Sequence, residues 1–159
     1  MKAQKSLISV FILMNCISFM SCSDAPLFQE KKKETTGLNF ENRITETSKL
    51  NVVTYEYMYN GGGIAIGDLN NDGLPDVYLS GNQIANKLFL NKGNLKFEDI
   101  TEKAGVAGNS DWNTGAVMGD VNGDGFDDII VGAFRGAPSS LSQAGESYVV
   151  FGTNFNGEV

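Results

Sequence analysis

The chain has 159 residues, of which 42% are hydrophobic, and its formal net charge at neutral pH is −7. Histidine is absent, which excludes His-dependent catalytic triads, histidine general bases and zinc sites built on histidine. The acidic balance argues against nucleic acid as a partner, because polyanions are bound by basic surfaces.

The N-terminus has the composition of an export signal. Lys2 and Lys5 form a short positive region, and an apolar stretch follows from Leu7 to Phe19. This stretch is too short to span a bilayer comfortably as a mature helix, and it fits a secretory signal peptide.

A lipid anchor is indicated where the apolar stretch ends. Phe19-Met20-Ser21-Cys22 resembles a bacterial lipobox, with a small residue before the cysteine. We predict a lipoprotein signal peptide over residues 1–21, lipidation of Cys22, and an outer-membrane or cell-surface lipoprotein of a bacterium. The alternative is ordinary signal cleavage near Ser21 to Ser23. Because Cys16 would leave with the signal, no intrachain disulfide is expected.

Residues 22–36 are polar and charged, which is typical of a flexible tether. Its lysine run, Lys31 to Lys33, could touch acidic headgroups, but a solvated linker is the favoured interpretation. Further along, the aromatic alternation from Tyr55 to Tyr59 predicts a strand with one buried face.

Two copies of one nine-residue pattern, D-x-N-x-D-G-x-x-D, begin 52 residues apart at Asp68 and Asp120. We call them loop 1 (residues 68–76) and loop 2 (residues 120–128). Oxygen side chains at positions 1, 3, 5 and 9, a carbonyl at position 7 and a glycine at position 6 suit Ca²⁺. The sequence therefore predicts two Ca²⁺ sites, with the ligands Asp68, Asn70, Asp72, Leu74 and Asp76 in loop 1, and Asp120, Asn122, Asp124, Phe126 and Asp128 in loop 2.

Other loop classes with similar patterns fit less well. An EF-hand has a bidentate glutamate at position 12, where this chain has Leu79 and Val131. Both loops lie between short apolar runs bounded by glycine, which predict strands, whereas EF-hands and dockerins place their loops beside helices.

Plain acidic turns are the remaining alternative, since Asp, Asn and Gly dominate turns for backbone reasons alone. Two copies that agree at all five specified positions disfavour it. Three carboxylates gathered within about 5 Å also repel one another by roughly 3 kcal/mol per pair at an effective dielectric constant of about 20. A compact loop of this kind therefore favours a cation at its centre.

The repeat predicts an all-β fold. Apolar runs flank both loops, Lys87 to Asn91 and Leu95 to Ile100 read as a hairpin, and Ser147 to Phe151 is the corresponding strand of the second unit. A period of this size is typical of propellers and solenoids. We predict about two four-stranded antiparallel blades of an incomplete β-propeller, with Ca²⁺-binding loops between strands.

These motifs resemble the FG-GAP/VCBS repeat family, the calcium-loop β-propeller blades also found in integrin α-subunit head domains. The second unit is similar through its loop 2 sequence, followed by Ile-Ile-Val-Gly-Ala and Tyr-Val-Val-Phe-Gly. The first, with Gly61 to Asp68 and Lys87 to Gly93, resembles the VCBS-type blades of bacterial proteins similar to cartilage acidic protein. The likeness covers residues 37–159, with blade units at about 60–110 and 112–159.

The residues themselves indicate an exported, surface-tethered, calcium-binding module, and the resemblance implies a role in adhesion or in binding an extracellular protein or glycan ligand. We expect no catalysis. The alternatives are part of a polysaccharide-degrading enzyme built on a calcium-loaded propeller, and a purely structural array of blades. Trp112 could stack on a sugar ring, but packing within a blade is the favoured role. Because propellers have about 4–8 blades, we expect this chain to be the N-terminal part of a larger one.

Overall fold

The structure, a computed structural model, describes residues 26–108, 112–133 and 145–153. The chain divides into two compact units, residues 1–30 and 31–159. In the first, only residues 26–30 are described, and they form no helix or strand. The elements of the second are helix α1 (Lys33–Thr36), strands β1 (Ile64–Gly67), β2 (Asp76–Leu79), β3 (Lys87–Asn91) and β4 (Phe97–Asp99), helix α2 (Thr101–Ala104), and strands β5 (Asn113–Gly119), β6 (Asp128–Ala133) and β7 (Glu146–Val150).

The strands form two antiparallel sheets in chain order. The first is a four-stranded meander, β1-β2-β3-β4, and the second has the order β5-β6-β7. The predicted fold was all-β; the described residues are mostly β, with two short helices and two antiparallel sheets, and the first sheet has the four strands expected. The second sheet has three strands within the described residues, so the expected fourth strand of that blade is not among them.

The hairpin predicted after loop 1 is present, but its second strand is shorter than expected. It begins at Phe97, because Asn94 and Leu95 take left-handed conformations, with φ of 53° and 56°. The N–H of Lys92 donates to the carbonyl of Lys96 at 2.7 Å and closes the turn. The predicted strand from Leu95 therefore starts two residues later.

The strand predicted from Tyr55 to Tyr59 is wrong, because this segment forms successive turns. The side chain of Asn51 accepts the N–H groups of Val53 and Thr54 at 3.0 and 3.2 Å, and the N–H of Tyr55 donates to the Asn51 carbonyl at 2.9 Å. An asparagine that bonds its own backbone in this way starts a turn instead of a strand.

Helix α1 lies within the segment predicted as a tether. It is a single turn that ends at Gly37 in a left-handed conformation, with φ of 84°. The ammonium of Lys96 donates to the carbonyl of Thr35, and a Cβ at Gly37 would lie 2.4 Å from the carbonyl oxygen of Phe97. Glycine is thus required where the chain passes the hairpin, and the tether boundary at residue 36 stays a prediction.

The core lies between the two sheets. Its buried members are apolar side chains from both, with the loop residue Leu69 and two residues next to α2: Ala65, Leu69, Tyr78, Leu88, Leu90, Ile100, Val106, Ile129 and Val131. Full burial of one such side chain contributes about 1.5–3 kcal/mol. Packing one face of each sheet against the other is therefore what orients the blades and their loops.

Glycines bring β1 and β5 close together. A Cβ on Gly63 would lie 2.4 Å from the backbone nitrogen of Ala116, and one on Gly67 would lie 2.7 Å from the Cβ of Met118. Side chains at these positions would therefore force the strands apart. This close approach places the ends of β1 and β5, from which the two loops start, side by side.

Candidate functional site

The two loops have the same left-handed backbone positions. At position 6, Gly73 and Gly125 have φ of 82° and 89°; at position 4, Asn71 and Gly123 have φ of 55° and 80°. Glycine adopts this conformation without strain, and asparagine tolerates it better than most residues. Position 4 is variable in the sequence pattern, so the pattern did not indicate that this residue is left-handed in both loops.

The aspartates at position 1 accept the backbone amides of their own loops. Asp68 accepts the N–H groups of Asp72 at 3.0 Å and Gly73 at 2.8 Å. Asp120 accepts those of Gly123, Asp124 and Gly125 at 2.7, 3.2 and 2.9 Å. These bonds, led by the one from Gly125, lower the pKa of Asp120. Position 1 thus closes each loop through backbone N–H groups that donate to its carboxylate.

Positions 3, 5 and 7 are joined in series. In loop 1, Nδ2 of Asn70 donates to Oδ2 of Asp72 at 3.0 Å, and the N–H of Leu74 donates to Oδ1 of Asp72 at 2.8 Å. In loop 2 the same bonds join Asn122, Asp124 and Phe126 at 2.8 and 2.9 Å. Two segments of different sequence therefore fold to one hydrogen-bonded geometry.

Asp76, at position 9 of loop 1, has no exposed surface and fastens the loop to the sheet. Its Oδ2 accepts the N–H of Leu69 at 3.1 Å, and its Oδ1 accepts that of Asn91, at the end of β3, at 2.8 Å. Burial raises its pKa, the carboxylates of Asp72 and Asp68 add to this rise, and the two N–H groups oppose it. A nearby cation would offset this cost of burying charge.

Asp128 repeats this arrangement in loop 2, and it is equally buried. Its Oδ2 accepts the N–H of Val121 at 3.0 Å, and its Oδ1 accepts that of Gly152, just after β7, at 2.8 Å. Position 9 therefore joins each loop to the end of the third strand of its own sheet or to the chain just after it. The sequence pattern did not reveal this role.

The donor set of each loop suits a hard cation, since it consists only of carboxylate, amide and carbonyl oxygens. In the part of the chain that the structure describes, no group of three or more His, Cys, Asp or Glu side chains is arranged to hold a metal ion. The carboxylates at positions 1 and 5 accept N–H groups of their own loops, and those at position 9 also accept one N–H from elsewhere in their sheet. The ten residues thus fit calcium in chemistry and spacing, and their role as ligands stays a prediction.

One residue outside the predicted ligand set links the two loops. The N–H of Asp68 donates to the Oδ2 of Asp127 across 2.8 Å. Asp127 stands at position 8, which is variable in the pattern and is Pro75 in loop 1. The acidic residue directly before the position 9 aspartate was the only sequence signal for this contact.

A second set of residues that sequence reasoning missed is a buried group of asparagines. Asn82, Asn86 and Asn113 are each at most 3% exposed. Oδ1 of Asn86 accepts the N–H of Gly81 and the Nδ2 of Asn113, both at 2.9 Å. Asparagine is common in turns, so nothing in the sequence distinguished these side chains from exposed ones.

At the other end of β1 and β5, aromatic residues line a cleft of about 310 Å³. Trp112 is 5% exposed, and Tyr55 packs edge-on against its ring with the ring centroids 5.1 Å apart. This burial favours the packing role for Trp112 over sugar stacking. Tyr57, which also lines the cleft, is 51% exposed. It is the ring that offers surface to a ligand.

Several sequence predictions fall outside the described residues. They include the signal peptide and Cys22. Among the residues the structure does describe, none belongs to a helix with the length and apolar character needed to cross a membrane.

Comparison with known proteins supports the resemblance. Residues 68–131, which include both loops, match the FG-GAP-like repeat family. Over 79 residues the chain is 37% identical to cartilage acidic protein 1 of Xenopus tropicalis. The matched part is 49% of this chain but 12% of that relative, so the chain spans a small fraction of the relative's length.

Proposed function

We propose, from the FG-GAP-like repeat that this chain carries at residues 68–131, that it is a calcium-binding module of a larger β-propeller that binds an extracellular ligand. Repeats of this family commonly bind calcium. The observation that carries the proposal is the equivalence of the two loops, in which positions 1, 3, 5, 7 and 9 make matching hydrogen bonds.

Calcium would be held by the ten predicted ligands, five in each loop. Extracellular calcium modules have dissociation constants of about 10⁻⁴–10⁻³ M. At a free concentration tenfold above this constant, each site adds about 1.4 kcal/mol of stability by mass action. Two sites together add about 3 kcal/mol, a large part of the ~5–15 kcal/mol of a typical domain.

Calorimetric titration of the full chain with Ca²⁺ tests the proposal. We expect two bound equivalents, with one lost in Asp72→Ala and one in Asp124→Ala. Glu102→Gln, which removes an exposed carboxylate next to neither loop, should keep both. Magnesium should substitute poorly, because it prefers a tighter octahedral shell and keeps its waters. A folded chain that takes up no Ca²⁺ would refute the assignment.

Apolar side chains on the outer faces of both sheets support the larger propeller. On the second sheet, Ile130 pairs with Val117 on one side and with Val149 on the other. The side chains of Val117 and Val149 are 55% and 48% exposed. On the first sheet, Ile64 and Ile66 are 66% and 63% exposed. Contiguous exposed apolar surface marks an interaction site, and further blades would cover these two faces.

Adhesion or ligand binding without catalysis is the second part of the proposal. Histidine is absent, and seven of the ten aspartates lie in the two loops, where a metal-bound carboxylate is poorly placed to act as a general acid or base. Turnover of a polysaccharide by the full chain would overturn this part and favour the polysaccharide-degrading alternative.

Membrane attachment through Cys22 is the third part. Expressed in a Gram-negative host, the chain should partition into detergent and incorporate labelled fatty acid, and Cys22→Ser should abolish both. The matched control is Cys16→Ser, which changes a cysteine inside the predicted signal and should leave lipidation intact. Release of the unaltered protein in soluble form, beginning at residue 23 or later, would contradict the anchor.

A further inference from the structure

Asp68 and Asp127 form a reciprocal pair between the two loops. The N–H of Asp68 donates to Oδ2 of Asp127 at 2.8 Å, and the N–H of Asp127 donates to the carbonyl of Asp68 at 3.3 Å. Asp68 occupies position 1 of loop 1, where its side chain is a predicted ligand. The backbone of this ligand is therefore held directly by a residue of loop 2.

Two glycines lie so close to Asp127 that neither position has room for a side chain. A Cβ on Gly67 would lie 2.5 Å from Oδ2 of Asp127, and one on Gly152 would lie 2.2 Å from its backbone carbonyl oxygen. Gly152 also donates its N–H to the adjacent Asp128. The peptide of Asp127 is thus enclosed between the start of loop 1 and the chain after β7, and its position depends on how loop 2 is folded.

This link belongs to loop 2 alone. Position 8 of loop 1 is Pro75, which has neither a carboxylate nor an N–H. Its carbonyl accepts Nδ2 of Asn91 at 2.8 Å, within its own sheet. The equivalent position in the first repeat therefore serves its own blade, whereas Asp127 reaches the neighbouring one.

We propose that Asp127 is a positioning residue that couples the two calcium loops, so that Ca²⁺ bound in one raises the affinity of the other. The proposal rests on the calcium binding proposed above. Without the ion, the carboxylates of loop 2 repel one another and hold Asp127 less firmly. An ion in loop 2 orders Asp127, which fixes Asp68 and lowers the cost of ordering loop 1. The effect is reciprocal, because linkage between two binding sites is symmetric.

The carboxylate of Asp127 also adds negative charge beside loop 1, and this effect has to be separated from the hydrogen bond. Asp127→Asn removes the charge but keeps an oxygen that can accept the N–H of Asp68. Asp127→Ala removes both the charge and this acceptor, and of the reciprocal pair it keeps only the longer backbone bond, from the N–H of Asp127 to the carbonyl of Asp68 at 3.3 Å. Coupling should therefore survive in the first variant and disappear in the second, and loop 1 should bind Ca²⁺ more weakly in both.

The experiment is a double-mutant cycle by Ca²⁺ titration calorimetry on the full chain. The affinity of loop 1 is measured with loop 2 intact and with loop 2 disabled by Asp124→Ala, in the unaltered chain and in Asp127→Ala. In the unaltered chain, we expect that disabling loop 2 lowers the Ca²⁺ affinity of loop 1 by about fivefold or more, where fivefold is the lower end of typical couplings. In Asp127→Ala, we expect that disabling loop 2 leaves the Ca²⁺ affinity of loop 1 unchanged. In Asp127→Asn, disabling loop 2 should again lower the affinity of loop 1. Glu102→Gln is the control for removing one negative charge elsewhere, and in this variant the loss of affinity should be as large as in the unaltered chain.

Each outcome bears on the proposal. Two ions that bind independently in the unaltered chain would overturn the coupling and leave the calcium sites standing. The same loss of affinity in both backgrounds would show that the coupling does not pass through Asp127. Absence of any Ca²⁺ uptake would overturn the proposed function and the coupling together. Should Asp127→Ala fail to fold, a fivefold effect retained in Asp127→Asn supports the hydrogen bond, and its loss there contradicts it.

Discussion

Asn42 and Asn82 hold each other by a reciprocal pair of hydrogen bonds. Nδ2 of Asn42 donates to Oδ1 of Asn82 at 2.6 Å, and the N–H of Asn82 donates to Oδ1 of Asn42 at 3.0 Å. Nδ2 of Asn82 also donates to the carbonyls of Gly61 and Asn113 at 3.2 and 3.0 Å. One fully buried amide thus joins the segment before β1 to the first strand of the second sheet.

Asn82→Ala should therefore lower the free energy of unfolding by roughly 2–5 kcal/mol, because it leaves several buried polar groups without partners at about 1–3 kcal/mol each. Denaturant titration measures the change. The control is Asn39→Ala, at an exposed position, which should stay within about 0.5 kcal/mol. Equal effects of the two substitutions would show that the buried amide has no special role.

Asp76→Asn should destabilise the chain even when calcium is removed by a chelator. An amide at this position places an NH₂ group opposite an N–H donor, because both carboxylate oxygens accept backbone amides, and we expect a loss of about 1–3 kcal/mol. Asp72→Ala, in contrast, should lower mainly the calcium-dependent part of the stability, because Asp72 is exposed and water can replace its hydrogen bonds with Asn70 and Leu74. Melting temperatures with and without chelator separate the two, and identical behaviour would contradict the structural role of Asp76.

Trp112→Ala should lower the stability of the fold, whereas Tyr57→Ala should lower ligand binding. Removing the buried Trp112 ring should cost about 3–5 kcal/mol of stability. Removing the half-exposed Tyr57 should leave stability nearly unchanged and weaken binding on a glycan array. Tyr59→Ala is the control, since Tyr59 is exposed but does not line the cleft. Unchanged glycan binding by a folded Tyr57→Ala would rule the cleft out as the ligand site.

Asp99 should contribute a stabilisation that acid removes. Partial burial works to raise its pKa, but hydrogen bonds from Lys87 at 2.8 Å and from Thr101 outweigh it, so that the pKa lies below its usual value. Because the folded-state pKa is the lower one, the stabilisation is complete above the unfolded pKa of about 3.9. It disappears as pH falls through the folded pKa. The gap in melting temperature between the unaltered chain and Asp99→Asn should therefore be widest above pH 4 and narrow towards pH 2. A constant gap would contradict the ion pair.

Local patterns predicted most of the strands and the positions of both loops. Apolar runs beside the two loops located β1, β2, β5 and β6, because short runs of this kind bounded by glycine are typical of strands. The nine-residue pattern located both loops, because oxygen side chains and a turning glycine at fixed spacing suit few other structures. The strand from Tyr55 to Tyr59 was wrongly predicted because the segment forms turns. Asn51 starts them, and the N–H groups of Met58 and Asn60 continue them by donating to the carbonyls of Tyr55 and Tyr57.

The partners of individual side chains were decided by tertiary structure alone. Asp68 and Asp127 meet although they are 59 residues apart, because two faces of apolar residues pack together and glycines let β1 and β5 approach closely. The same packing buries Asn82 and fixes Asp76 and Asp128 to the ends of β3 and β7. A sequence pattern specifies which groups a segment offers. Which of them become buried and bonded depends on the surface brought against them, and that surface comes from distant parts of the chain.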